Sequence, residues 1–269
     1  LFIKKITFTF YINADTIMAD LNAPAMTGQL NKEGTQLERG QKTILAVGAH
    51  TGDAQLTCGM LLAKHALAGD KVVIVDLTAG ERSAPKDIPT KEFKQQNVAA
   101  AKAFAQMLGG ESIVMDIPDG ELNSGRELEQ RLSLLMREKK ANAVLYHWCT
   151  SLHKDHVAAH EVTKNAIFMA SLPTPEQTLP PAPISRAMYA ENWEDLEGFS
   201  PYFYFDVTEA FPLWKEAAKK LWLAEHNESF KYLRYYEALS IMRGAVIGRD
   251  NASCFGTSYS GKRQTLDLL

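Results

Sequence analysis

The amino-acid sequence predicts an α/β protein: a Rossmann-like, doubly wound, mostly parallel sheet with a smaller C-terminal α+β extension. Three observations predict it. Short apolar, β-prone runs alternate with segments of helical periodicity from residue 43 to about residue 170, the pattern of repeated βαβ units. The runs are apolar on both faces, as strands must be when helices cover both sides of a sheet. Glycines follow several helical segments, where a helix ends in a left-handed turn.

Taken in order, Thr43 to Val47 (TILAV) is the first buried strand, and Ala54 to Leu67 carries apolar residues at helical spacing up to Gly69-Asp70. Lys71 to Leu77 (KVVIVDL) is the second strand. A long helix over Lys91 to Leu108 closes at Gly109-Gly110, and Ser112 to Ile117 is the third strand. Arg126 to Lys139 is helical, Ala141 to His147 (ANAVLYH) is the fourth strand, and a helix runs from His156 to about Ala170. After the proline-rich Pro173 to Pro183 the pattern loosens: strands at Arg186 to Ala190 and Tyr202 to Val207, then helices near Ala210 to Glu225 and Ser229 to Met242.

The chain has 269 residues, of which 46% are hydrophobic, enough to bury one large core. A formal charge of −3 offers no basic field for nucleic acid. Cys58, Cys149 and Cys254 lie far apart with no CxxC pair, which argues for a reducing compartment and against a disulfide framework or a thiolate zinc site. Residues 1–41 read as a loose leader and residues 42–269 as a single domain whose C-terminal subdomain starts near residue 184. The apolar stretch Leu1 to Ile12 is too short to span a bilayer. Met18 reads as an ordinary cytoplasmic start; a secretory signal is the alternative.

Two polar clusters follow strand ends. The first is Ala49-His50-Thr51-Gly52-Asp53; the second runs from His147 to His156 and includes His153-Lys154-Asp155-His156. With a sheet order of 3-2-1-4-5, strands one and four are neighbours at the topological switch point, so the clusters converge in the crevice where ligands bind. Imidazole and carboxylate are the usual non-thiolate ligands of Zn²⁺, and a hydrolytic site keeps three protein ligands and one open position. His50, Asp53 and His156 are the candidate set. Such a centre lowers the pKa of bound water toward about 7. The alternative is that these histidines are polar loop residues, since each motif alone is loose.

At these residues the sequence resembles the LmbE/PIG-L family of zinc-dependent N-deacetylases, which carries A-H-P-D-D after its first strand and H-x-D-H after its fourth. Thr78-Ala79-Gly80-Glu81 and Pro118-Asp119-Gly120-Glu121-Leu122 resemble two further loops of the family, and the likeness spans roughly residues 42 to 258. It implies that His50, Asp53 and His156 hold zinc, that His153 supports the tetrahedral oxyanion, and that Asp155 orients His153. It implies removal of an acyl group from an amino sugar. The chain departs from the pattern where the catalytic base stands: the first aspartate of A-H-P-D-D is Gly52, and the proline is Thr51. An Arg-x-x-Glu that contacts sugar in the family aligns with Asn97-Val98-Ala99-Ala100.

Other residues carry two readings. Glu81 contacts a substrate hydroxyl or stabilises a helix start; Asp119 braces the site or belongs to an ordinary turn. Glu191, Glu194 and Asp195 form a solvated acidic face, or one of them replaces the missing base. Trp193 and Trp148 stack on a sugar or pack in the core. His160 supports a ligand or packs a helix. The expected function is zinc-dependent hydrolysis of a linear amide, an N-acyl amino sugar or glycoconjugate. Its rival is a zinc-retaining, weak or inactive protein that binds a carbohydrate. Neither nucleic acid nor a membrane is an expected partner, and homo-oligomerisation stays open. A nucleotide-binding Rossmann protein would carry G-x-G-x-x-G where His50 and Asp53 stand. If nothing has replaced the base, Gly52→Asp is expected to raise hydrolysis at least tenfold.

Overall fold

The computed structural model describes residues 40–173, 178–258 and 260–262. Most of the leader expected over residues 1–41 lies outside them. The strands are β1 (Thr43–His50), β2 (Lys71–Thr78), β3 (Glu111–Ile117), β4 (Ala143–Tyr146), β5 (Arg186–Ala190), β6 (Phe203–Asp206) and β7 (Ala252–Gly256). The helices are α1 (Asp53–Thr57), α2 (Gly59–Leu67), α3 (Thr90–Met107), α4 (Arg126–Glu138), α5 (Lys154–Ser171), α6 (Phe211–Ala218), α7 (Trp222–His226) and α8 (Tyr232–Val246). They build one sheet in the order β3-β2-β1-β4-β5-β7-β6. β3, β2, β1, β4 and β5 are parallel, and β7 runs antiparallel to both β5 and β6. The fold is therefore α/β with a mostly parallel sheet, and the expected order 3-2-1-4-5 forms its core.

Side-chain alternation divides the core into two layers. Ile44, Ala46, Val72 and Ile74 face one side, where α2, α3, α6 and α8 contribute Leu61, Phe104, Trp214 and Tyr236. Leu45, Val47, Val73 and Val75 face the other, packed by Leu132 and Met136 of α4 and Val162 and Ala166 of α5. Residues Gln41–Leu269 form one compact unit. Among the described residues no helix is long and apolar enough to cross a membrane.

Three local features differ from the sequence expectation. The helix expected over Ala54 to Leu67 breaks at Cys58 into α1 and α2. Trp214 Nε1 donates to the Gln55 carbonyl at 3.0 Å, so that carbonyl has an indole partner in place of an amide one turn on. A Cβ on Gly59 would meet Trp214 Cδ1 at 2.6 Å, so only glycine admits the indole there. The helix expected near Ala210 to Glu225 likewise breaks at Leu221, whose backbone is extended (φ −82°, ψ 128°). β7 (ASCFG) was not expected at all; its small residues carry little strand preference, and pairing with β5 and β6 decides its conformation.

Candidate metal centre

β1 and β4 pair in parallel (Ile44 with Ala143, Ala46 with Leu145), which brings the residues after their carboxyl ends together. His50 closes β1. Thr51 and Gly52 turn the chain, with Gly52 at φ 116° and ψ −33°, and α1 begins at Asp53. Asp53 Oδ2 accepts from the His50 backbone N–H at 2.8 Å, which folds the carboxylate back over the strand end. From the β4 side, His153 caps α5: its Nδ1 accepts from the Asp155 N–H at 3.2 Å. That cap places His156 on the first turn of α5.

The expected trio meets at one atom. Asp53 Oδ2 lies 3.2 Å from His50 Nδ1 and 3.4 Å from His156 Nε2. The far nitrogen of each histidine faces carboxylates: His50 Nε2 is 3.2 Å from Asp119 Oδ1 and 3.3 Å from Asp155 Oδ2, and His156 Nδ1 is 2.9 Å from Asp195 Oδ1. Carboxylates there fix ring orientation and leave the inner nitrogen for an ion, the usual support of a metal-bound histidine.

Three overlapping clusters bring ligand atoms within 4.8 Å of one another: His50, His153 and His156; Asp53, His147 and His156; and His50, Asp119 and Asp155. The second is not a separate site. His147 Nε2 accepts from the Ala49 N–H at 3.1 Å, and Nδ1 lies 2.9 Å from Asp195 Oδ2, so both of its nitrogens are occupied.

The electrostatics favour a cation. Burial raises the Asp53 pKa, but His156, His147 and His50 outweigh it and hold it well below the usual carboxylate value. Burial likewise opposes ionisation of Asp119, Asp155 and Asp195, and neighbouring histidines and amides hold all three low. Burial lowers the His50 pKa, but Asp119, Asp155 and Asp53 together raise it to about 12; Asp53 and Asp195 raise His156 to about 10 against the same burial. Without an ion, protons supply the positive charge that these carboxylates demand. Asp155 Oδ1 is buried and without a hydrogen-bond partner, a further unmet negative atom. Donor type, placement and charge all fit a divalent cation.

His153 differs from the other two. Burial, then the charges of His50 and His156, lower its pKa. It is therefore the neutral imidazole of the group. With Nδ1 accepting from a backbone N–H, its proton sits on Nε2. The resemblance implies that Asp155 orients His153, but the Asp155 carboxylate accepts from the Gly120 N–H at 2.8 Å and faces His50.

A cavity of about 240 Å³ opens over this floor. His50, Asp53, His153 and His156 line its base, Glu194 one wall, and Leu223 of α7 the wall beside Gly52. Glu194 Oε2 lies 3.6 Å from His156 Nε2; burial raises the Glu194 pKa, and His156 lowers it. Trp193 also lines the cavity and stacks on Phe230 at 4.3 Å between ring centroids. Asp119 is at the rim, its Oδ2 accepting from the Arg82 N–H at 2.8 Å. Glu81 is buried and outside the cavity lining; its Oε1 accepts from the Asp119 N–H at 3.1 Å, so it supports Asp119. Glu191 also faces elsewhere. Arg243 pairs with its carboxylate in a separate small cavity, which removes Glu191 as a group over the metal floor. Asp195 is not a solvated face but fully buried beside two histidines. His160 Nδ1 bonds the His147 carbonyl at 2.9 Å and pins the end of β4.

Residues 45–167 match the family model of PIG-L, described as GlcNAc-PI de-N-acetylase. The chain carries a PIG-L family domain. A 4-oxalmesaconate hydratase of Pseudomonas putida is 25% identical over 219 residues, which cover 78% of this chain and 83% of that protein. Among solved structures, GalB, the 4-carboxy-2-hydroxymuconate hydratase of Pseudomonas putida KT2440, aligns with a TM-score of 0.76 at 20% identity over 85% of this chain and 100% of its own. The N,N'-diacetylchitobiose deacetylase of Pyrococcus horikoshii aligns at 0.69 with 18% identity, over 80% and 82%. The fold is thus shared by deacetylases and a hydratase.

Proposed function

We propose that the chain is a zinc-dependent hydrolase of a linear amide, acting on an N-acyl amino sugar or glycoconjugate. One observation carries this reading. The floor of the cavity holds the His50, Asp53, His156 set, and no lysine or arginine is among the described residues that line the walls. Asn97, Asn192, Trp193, Trp222 and Tyr232 offer hydrogen bonds and aromatic faces instead, which suit a neutral polyhydroxylated ligand.

When bound by His50, Asp53 and His156, the ion supplies Lewis-acid polarisation of the acyl oxygen and a lowered water pKa. His153 donates a hydrogen bond from its Nε2–H to the oxyanion as the carbonyl carbon becomes tetrahedral, and stays neutral as it does so. Gly52 has no acceptor, so the proton of the attacking water needs another group. Glu194 also lines the cavity, its Oε2 3.6 Å from His156 Nε2. It takes the water proton as the C–O bond forms and returns one to the nitrogen as the C–N bond breaks, releasing a carboxylate and an amine.

A second reading is hydration of a carbon–carbon double bond. It is favoured by the hydratase relatives that align over most of the chain and by Gly52 in the place of the deacetylase base. An anionic substrate of that kind would meet Asp53, Asp119 and Glu194 with no lysine or arginine in the lining. The test compares zinc-loaded protein and Glu194→Gln on N-acetylglucosamine, N,N'-diacetylchitobiose and 4-oxalmesaconate, with metal content measured for both. Amine release by the wild type is expected, reduced about 10²–10⁴-fold in Glu194→Gln at unchanged metal content. Consumption of 4-oxalmesaconate without amine release from either sugar would replace the amide reading with the hydratase one. Inactivity on all three with zinc retained would favour a carbohydrate-binding protein.

A further inference from the structure

Asp195 is placed to decide which nitrogen of His156 is free, and it does so jointly with His147. The chain of donors starts at the backbone. The Ala49 N–H donates to His147 Nε2 at 3.1 Å, so that nitrogen carries a lone pair and the ring proton is on Nδ1. His147 Nδ1 is 2.9 Å from Asp195 Oδ2, and His156 Nδ1 is 2.9 Å from Asp195 Oδ1. One carboxylate thus accepts from two imidazoles, whose rings lie 4.2 Å apart at 31°. With its proton on Nδ1, a neutral His156 presents the Nε2 lone pair toward Asp53. All three side chains are at most 4% exposed, so water offers no substitute partner, and Ser151 Oγ and Asn192 Nδ2 approach His156 Nδ1 only at 3.4 and 3.5 Å, against 2.9 Å for Asp195.

We infer that Asp195 is a positioning residue for the proposed ion: it locks His147 and His156 in the Nδ1–H tautomer, and Ala49 anchors the lock from the first strand. The inference rests on the metal reading under Proposed function and adds to it a residue from the segment beyond β5.

The substitution that isolates the effect is Asp195→Asn, which keeps the shape and replaces one acceptor by a donor. An amide can accept from only one of the two Nδ1–H groups, and its NH₂ must face the other ring. His147 resists the change, because reversing its tautomer would set an Nε2–H against the Ala49 N–H at 3.1 Å, closer than the Asp53 Oδ2 that lies 3.4 Å from the same nitrogen. His156 therefore yields: its Nδ1 becomes an acceptor, and its Nε2 carries the proton where an ion would bind. The Zn²⁺ affinity of Asp195→Asn, measured by competition with a chromophoric chelator, is expected to fall 10–100-fold. The second variant is Asp195→Asn/His147→Gln. Without the anchored imidazole the amide is free to turn its oxygen toward His156. This double variant is expected to bind Zn²⁺ more tightly than Asp195→Asn alone, a recovery that simple loss of packing would not give. Circular dichroism and thermal melting establish that each variant is folded. If Asp195→Asn does not fold, the double variant is compared with His147→Gln, and the expectation is affinities within about threefold of each other. A folded Asp195→Asn that binds Zn²⁺ as tightly as the wild type would overturn the inference, and so would a double variant weaker than the single one. A folded wild type that binds no Zn²⁺ would instead remove the metal reading itself.

Discussion

Gly52 is more than a missing carboxylate. Its φ of 116° lies where side-chain-bearing residues are strained, and a Cβ built there would meet Leu223 Cδ2 at 2.3 Å. Leu223 has taken the volume that an aspartate would need, and Gly52 N–H donates to Gln55 Oε1 at 2.9 Å to hold the turn. This bears on the expectation that Gly52→Asp raises hydrolysis at least tenfold if nothing has replaced the base: an aspartate there needs both a strained backbone and the leucine's volume. The backbone strain alone is worth about 1–3 kcal/mol, and the leucine must move as well. Gly52→Asp should therefore lower the melting temperature and give no tenfold gain in amine release. Gly52→Asp/Leu223→Ala should recover part of the stability, because it removes the contact but not the strain. Unchanged melting with a large gain in turnover would mean that the turn can re-form with a different backbone and that the base was simply absent. Calorimetry and amine-release kinetics on the same three proteins decide between these.

At the scale of elements, β2 carries the strangest buried residue. Asp76 is fully buried, in a strand where Val72, Val73, Ile74, Val75 and Leu77 surround it in sequence. Its Oδ2 accepts from Gln55 Nε2 at 2.8 Å and Thr51 Oγ1 at 3.2 Å, so it ties β2 to the Thr51–Gln55 turn; its Oδ1 has no partner. Burial is the main cause that raises its pKa to about 8, and Gln55 opposes it. The sign follows from linkage. Between 3.8 and about 8 the folded chain holds a proton that the unfolded chain has lost, so the stabilising share is complete below 3.8 and declines by about 1.4 kcal/mol per pH unit up to 8. Asp76→Asn keeps an acceptor for Gln55 and Thr51 and never ionises. Denaturant melts from pH 5 to 8 should show a shallower loss of stability in the variant; parallel curves would mean that Asp76 is charged throughout. The first strands were legible in the sequence because both-sided burial writes itself as continuous apolar runs, and the His50, Asp53, His156 set because strand order puts the ends of β1 and β4 side by side. Glu194 was legible only as one of three acidic candidates for the base, and the contributions of Asp195 and Leu223 were not legible. They come from segments after residue 184, where short elements leave no periodicity and an acidic run looks the same whether it meets water or histidines. The break at Cys58 was hidden for a related reason: its cause, Trp214, is far away in sequence.

For the whole molecule, the proposed ion couples fold, charge and pH, because its ligands reach the site from β1, α1 and α5 and their supports from the loop after β3, from α5 and from beyond β5. Without an ion, His50 and His156 hold protons with pKa values of about 12 and about 10, against an ordinary 6.5, because the carboxylates outweigh burial. The histidine–carboxylate contribution to stability is then fully present below about 6.5 and is lost as the pH rises through the folded values. An ion at the same place displaces those protons, so its affinity should climb with pH, by up to about two decades per unit while both histidines are protonated in the free protein. The stabilisation from excess ligand grows with affinity as RT ln(1 + [L]/Kd). Two measurements follow. Calorimetric titration of metal-free protein with Zn²⁺ at pH 7, in buffers of different ionisation enthalpy, should show release of about two protons per ion at one ion per chain. The melting temperatures of zinc-loaded and chelator-treated protein should also diverge from pH 6 to pH 9, because the stabilising share of the histidine protons declines above about 6.5 in the metal-free form while the loaded form binds its ion more tightly. In His50→Ala/His156→Ala both effects should vanish, since Asp53 alone of the three ligands remains. A melting gap independent of pH, or stoichiometric metal in that double variant, would place the ion somewhere other than the ends of β1 and β4.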